Sequence, residues 1–164
     1  MRVPKRLPRD VSVHLFRRTD HGPQFLMLRR CAARGGFWQG ISGAPLVGEN
    51  DTDAAVRETF EETGFDVADR IFSLGIGYSY ALRPERADHW KQLYGPGVDR
   101  VSVATFASEM PGGDPVLDPS EHDRFALCSY EEASALLHWP IERDALAGRR
   151  EALRALNTLL QGGE

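Results

Sequence analysis

Four glutamates and one arginine within residues 43–65, GAPLVGENDTDAAVRETFEETGF, stand at a spacing that packing alone does not require. At 100° per residue, Glu58, Glu61 and Glu62 fall within one arc of a helix, and Glu49 precedes them in a loop. Like charges at i+3 and i+4 repel, and toward a helix C-terminus the dipole also disfavours negative charge. Arg57 can pair with Glu61 one turn on, or with Glu49. One guanidinium does not neutralise four carboxylates. The remainder calls for a bound cation, and a hard one, because every ligand offered is oxygen. A glutamate run taken alone is usually a solvated face, so the weight rests on the whole string.

The element that must position these groups is a loop followed by a short acidic helix. Asp51 or Thr52 is expected to cap its N-terminus, and Gly64, able to turn left-handed, to end it after Thr63. Val56, Thr59, Phe60 and Thr63 are expected to form the packing side, with Ala54 and Ala55 beside the carboxylates.

The string resembles the Nudix signature: Gly43, then Glu49 after five residues, then Arg57, Glu58, Glu61, Glu62, Gly64 and the hydrophobe Phe65. Thr59 stands where the pattern has an aliphatic residue, and Leu46 where many members carry a further acid. Beyond the signature, FLMLRR, FWQGISG, YGPGV, EHDRF, SYEEASALL and WPIERDAL resemble a bacterial Nudix subgroup, the dihydroneopterin triphosphate pyrophosphohydrolases, also described as dATP pyrophosphohydrolases. The resemblance implies an α/β/α sandwich with a mixed central sheet, and an enzyme using Mg2+, with Mn2+ as a substitute. It implies cleavage of a nucleoside-triphosphate-like substrate to the monophosphate and pyrophosphate.

Carried over residue by residue, Glu58 and Glu62 are the principal metal ligands. Glu61 and the Ser42 carbonyl complete the set. Glu121, from the Glu-His pair, is the distal carboxylate, either ligand or general base. Glu58 is an equally open choice for the base. Arg57 and Glu49 tie the helix to its loop, Arg30 offsets charge on the leaving pyrophosphate, and His122 contacts a phosphate or orients Glu121. For Arg30 the alternative is a solvated strand end, and for His122 a structural imidazole.

At 164 residues the chain is expected to be one domain, with a core that needs neither disulfides nor structural metal. Cys31 and Cys128 are far apart with no CxxC pairing, so ordinary thiols in a reducing compartment are expected. No apolar run reaches membrane-spanning length, and MRVPKRLPRD lacks a signal-peptide hydrophobic segment, so a cytoplasmic protein is expected. The net charge is −4, yet residues 49–62 hold six acids and one base, leaving about +1 elsewhere. That distribution excludes a duplex-binding face and suits a metal-bridged phosphate held by scattered arginines.

Residues 11–18 and 24–30 alternate as two strands of a hairpin, with a turn at 19–23. His14 is read as a strand histidine and Trp38 as core, although an indole there could stack on a base. Gly40 and Gly43 are expected to let the backbone approach a cation or ligand. Residues 71–82 read as a strand bulged at Gly75 and Gly77, 100–108 and 124–129 as further strands, and 109–120 as turns. Residues 83–100 read as a long polar loop and candidate substrate lid. Helices are expected at 130–138 and from 141 to about 160, the latter with Leu146, Leu153, Leu156 and Leu160 on its apolar stripe.

Two function classes remain at this stage. One is the metal-dependent pyrophosphohydrolase, with dinucleoside polyphosphates, ADP-ribose or nucleotide sugars as other substrates, working as monomer or homodimer. The other is a sensing module that binds nucleotides without turnover. The complete set of Glu49, Arg57, Glu58, Glu61 and Glu62 favours the enzyme, as does the expectation that no DNA-binding domain is appended.

Overall fold

The structure, a computed structural model, describes residues 6–138 and 143–162. Its centre is a mixed sheet of seven strands, with β3-β2-β1-β6-β5 as the main path. The strands are β1 (Arg9–Thr19), β2 (Gly22–Arg30), β3 (Trp38–Gln39), β4 (Ile41–Gly43), β5 (Phe72–Ala81), β6 (Arg100–Glu109) and β7 (His122–Cys128). β1 and β2 form the expected hairpin, from Phe16↔Phe25 to Thr19↔Gly22. Beyond Phe16 they part. β4 takes β2's place beside β1 at Val11–Val13, while β2 goes on to pair with β3 on one side and β7 on the other. On its far edge β1 runs parallel to β6.

The period of two in β1 sorts its side chains between two cores. Val11, Val13 and Leu15 join Leu26, Leu28 and Ile41 under Ala54 and Ala55 of helix α1 (Asp51–Thr63). Phe16 faces the other way, with Phe25, Met27 and Cys128, under α3 (Tyr130–Leu136) and α4 (Arg143–Gly162). This is the expected α/β/α sandwich. Leu153 and Leu156 of α4 are fully buried, and Leu146 and Leu160 pack beside them. The expected start of that helix at Ile141 lies outside the described residues.

Three expectations are corrected. The cap of α1 is Asn50, whose side chain accepts from the Asp53 N–H at 2.8 Å; Asp51 is drawn off to Arg9 of β1, 3.0 Å away. The packing side of α1 comprises Ala54, Ala55, Thr59, Glu62 and Thr63, whereas Phe60 is 58% exposed. Thr59 and Thr63 enter an apolar interface because each hydroxyl donates to the carbonyl one turn back, at 2.7 and 2.6 Å. Finally, residues 83–100 are not an open loop. They contain a 3-10 turn (Pro84–Arg86) and helix α2 (Ala87–Tyr94), because Trp90, Leu93 and Tyr94 form a helical stripe that packs with Leu82 and Val101.

Candidate metal and phosphate site

The site forms where α1, β4 and the turn before β7 converge. β4 is held to β1 through Ser12↔Ser42. The Ser42 N–H points away from that ladder and donates to Glu62 Oε2 at 3.2 Å. In an antiparallel strand the N–H and C=O of one residue leave on the same side, so the Ser42 carbonyl also faces α1. Gly43 comes next, and a Cβ there would overlap the Glu58 carboxyl group. Only glycine lets the helix bring Glu58 this close to the strand. Gly64 turns left-handed at φ 76° and returns its N–H to the Phe60 carbonyl, which ends α1 directly after the glutamates. Gly40, by contrast, lies against the Val13 carbonyl and the His14 ring and serves strand packing.

Arg57 is the hub of the loop-helix junction. Its Nε and Nη2 grip both oxygens of Glu49 at 2.9 and 3.0 Å, Nη2 also reaches the Ala44 carbonyl at 3.1 Å, and Nη1 holds Glu58 at 2.9 Å. Glu49 Oε2 in turn accepts from the Leu46 N–H. These bonds hold Glu49 below its usual range and keep Arg57 charged. Glu61 is more than half exposed and meets Nη1 of Arg57 at 3.2 Å, on the outer side of the cluster.

Glu58 and Glu62 face inward with Glu121. Burial raises the Glu58 carboxyl despite its bond to Arg57. Glu62, 3% exposed, is pushed up to about 9, first by burial and then by the charges of Glu58 and Glu121. His122, the residue after Glu121, is equally buried, and its Nε2 lies 3.7 Å from Glu62 Oε1. Ligand atoms of Glu62, Glu121 and His122 all lie within 4.8 Å of one another. Arg30 pairs with His122 across the β2–β7 ladder, where the register shifts, and its Nε is buried without a hydrogen-bond partner. The donor set fits a divalent cation: converging carboxylates, one of them deeply buried, whose own repulsion opposes ionisation.

Thus Glu58, Glu62, Glu121, His122, Ser42 and Arg30 come together, with Arg57 and Glu49 behind them and Glu61 at the margin. Arg34 was not expected here. Its Nε donates to the Ser120 carbonyl at 3.1 Å, beside the turn that carries Glu121, and its charge acts on His122. Only its nearness to Arg30 in an unpatterned loop hinted at this. A second polar cluster lies on the α4 face of the sheet. Arg149 of α4 donates to Gln39 at 3.0 Å, and its charge acts on the Tyr78 hydroxyl and on the buried His14. Trp38, as expected, packs against the core on that face.

The sequence matches the family model described as NUDIX domain over residues 7–148. The chain belongs to the Nudix hydrolase family. Dihydroneopterin triphosphate diphosphatase of Escherichia coli K12 is 31% identical over 103 residues, which cover 63% of this chain and 67% of that protein. The structure of the E. coli dihydroneopterin triphosphate pyrophosphohydrolase superposes with a TM-score of 0.71 at 24% identity, over 95% of this chain and 98% of that one. A Myxococcus xanthus octanoyltransferase is 29% identical over 146 residues, 89% of this chain; the Nudix chain spans 36% of that protein's length. Among the described residues no helix is long and apolar enough to cross a membrane.

Proposed function

We propose that this Nudix hydrolase is a divalent-cation-dependent pyrophosphohydrolase that converts dihydroneopterin triphosphate, or a (deoxy)nucleoside triphosphate, to the monophosphate and pyrophosphate. The observation that carries the reading is Glu62: a buried carboxyl group facing Glu58 and Glu121, whose charges oppose its ionisation. The pterin substrate is favoured by the E. coli relative, with which this chain shares 31% identity.

In this reading Glu58, Glu62, Glu121 and the Ser42 carbonyl hold the cation, with Glu61 available at the edge. Bound there, the cation neutralises phosphate oxygens and makes water a better nucleophile at neutral pH. The water oxygen bonds to phosphorus, the bridging P–O bond to pyrophosphate breaks, and a carboxylate, Glu58 or Glu121, takes the water's proton. Glu58 is the group that Arg57 orients, and Glu121 is carried by the rigid turn whose two N–H groups return to the Asp118 carbonyl. Arg30 offers a guanidinium with an unused, desolvated Nε to the departing pyrophosphate. We read the chain as one catalytic domain, because both cores share the same sheet, and as cytoplasmic, because its two cysteines are free thiols.

The test is product analysis with Mg2+ over dihydroneopterin triphosphate, dATP, other nucleoside triphosphates, diadenosine polyphosphates and ADP-ribose. Preferential pyrophosphate release from the pterin or a deoxynucleotide is expected. Preference for a dinucleotide or ADP-ribose would discard the substrate, and tight binding without cleavage would discard the enzyme.

A further inference from the structure

We propose that His122 is a nitrogen ligand of the cation, so that this centre binds Mn2+ more tightly than Mg2+. The inference rests on the cation site proposed above and assigns it a donor outside the carboxylate set.

Two observations converge. His122 is fully buried, and both of its ring nitrogens lack a hydrogen-bond partner. A buried imidazole normally has at least one of its nitrogens satisfied, so two orphans call for a partner that protein atoms do not provide. The ring is also aimed: Nε2 faces Glu62 Oε1 at 3.7 Å, and its ligand atom, with those of Glu62 and Glu121, spans no more than 4.8 Å, the scale of one coordination sphere.

His14 provides the contrast. It is equally buried, with both nitrogens unpartnered, but its neighbours are Gly40, Gln39 and Arg149. The charge that acts on it there is the Arg149 guanidinium, which opposes a cation. The strand histidine and the histidine of the Glu-His pair thus divide by what faces them.

The chemical consequence is selectivity. Mg2+ demands oxygen ligands in near-ideal octahedral geometry and keeps much of its water, whereas Mn2+ shares its taste for carboxylate but opens the transition-metal series that binds mixed nitrogen and oxygen sites. Replacing one oxygen donor by nitrogen shifts the preference toward Mn2+ without changing the charge of the site.

Pulsed EPR of Mn2+ bound to the full chain reads this directly. The expected spectrum shows coupling to one directly bound imidazole nitrogen, which changes to the 15N pattern when histidine is 15N-labelled. His122→Gln should lose that coupling and weaken Mn2+ binding by about tenfold or more, with Mg2+ binding changed far less. His14→Gln should keep the coupling. Stoichiometric Mn2+ that disappears in Glu62→Gln but shows no nitrogen coupling in the parent protein would overturn the His122 assignment and leave the cation site standing. Coupling that persists in His122→Gln would do the same. No stoichiometric Mn2+ or Mg2+ in any form would overturn the site itself. The labelled parent protein decides the matter even if His122→Gln does not fold.

Discussion

Arg57 and Glu49 form a two-pronged bond, 2.9 and 3.0 Å long, between helix α1 and the loop before it, and the same guanidinium then holds Glu58 at 2.9 Å. The arginine does not relieve the buried end of the carboxylate cluster. It neutralises the Glu49–Glu58 side and leaves Glu62 without a cationic side chain in hydrogen-bond reach among the described residues.

A fork of this kind needs a planar donor, so Arg57→Lys should not substitute. Turnover is expected to fall by roughly one to two orders of magnitude as Glu58 loses its orientation, and stability by about 1–2 kcal/mol, because the pair is half-buried. Steady-state kinetics beside urea unfolding checks both. An Arg57→Lys protein with parental kcat would mean that Glu58 needs no positioning.

Gly43→Ala places a methyl group into the Glu58 carboxyl. The helix must move away or Glu58 must change rotamer, and either displaces a ligand by about 1 Å or more, a misplacement worth about a hundredfold in rate. We expect kcat to fall that far while circular dichroism keeps the parental spectrum.

Glu62 ties stability to both pH and cation. Its carboxyl is raised to about 9 in the fold, above the ordinary glutamate value. The stabilising contribution of its proton is therefore complete in acid, and is lost as pH rises toward and through that value. The cation-free protein should weaken over this range, and Mg2+ should raise its melting temperature more near pH 9 than near pH 6. Glu62→Gln should flatten the alkaline decline and abolish the Mg2+ response. A thermal-shift series settles it, since an unchanged Mg2+ response in the variant would remove Glu62 from the site.

The acid side belongs to histidine. Burial and Arg149 hold His14 at about 4 in the fold, and burial with Arg30 does the same for His122. Because both lie below the ordinary value near 6.5, their contribution is whole above that pH and is lost as pH falls toward 4. Each is worth on the order of 2–3 kcal/mol. Urea unfolding between pH 7 and pH 4 should show this fall, and His14→Gln should remove about half of it; a slope unaltered by that substitution would refute the assignment.

Much of this was legible in the sequence. The hairpin, the bulged strand, the capping by Gly64 and the Glu49–Arg57 pairing follow from period, turn residues and charge spacing. What escaped depended on partners far along the chain. Asn50 rather than Asp51 caps α1 because Arg9 captures Asp51. Glu62 rather than Phe60 turns inward because β4 offers it a backbone N–H. Helix α2 was hidden because its three apolar residues stand among polar ones, and their cover, Leu82 and Val101, comes from the flanking strands. His122 stands out in the sequence because it follows Glu121, and His14 reads as a strand histidine; the fold adds that Arg149 acts on His14 whereas Glu62 faces His122.

The split of the strand ladder, with β4 taking over from β2 beside β1, bears on how the chain reaches this state. β7 docks on the other side of β2 through pairs about ninety to a hundred positions apart, a separation that closes slowly. Ser42 and Glu62 meet across twenty positions of chain, whereas Glu121 and His122 join them only through that long-range pairing. The repulsion that Glu121 adds to Glu58 and Glu62 therefore comes with β7. Glu121→Gln is expected to slow unfolding while leaving the folding rate almost untouched.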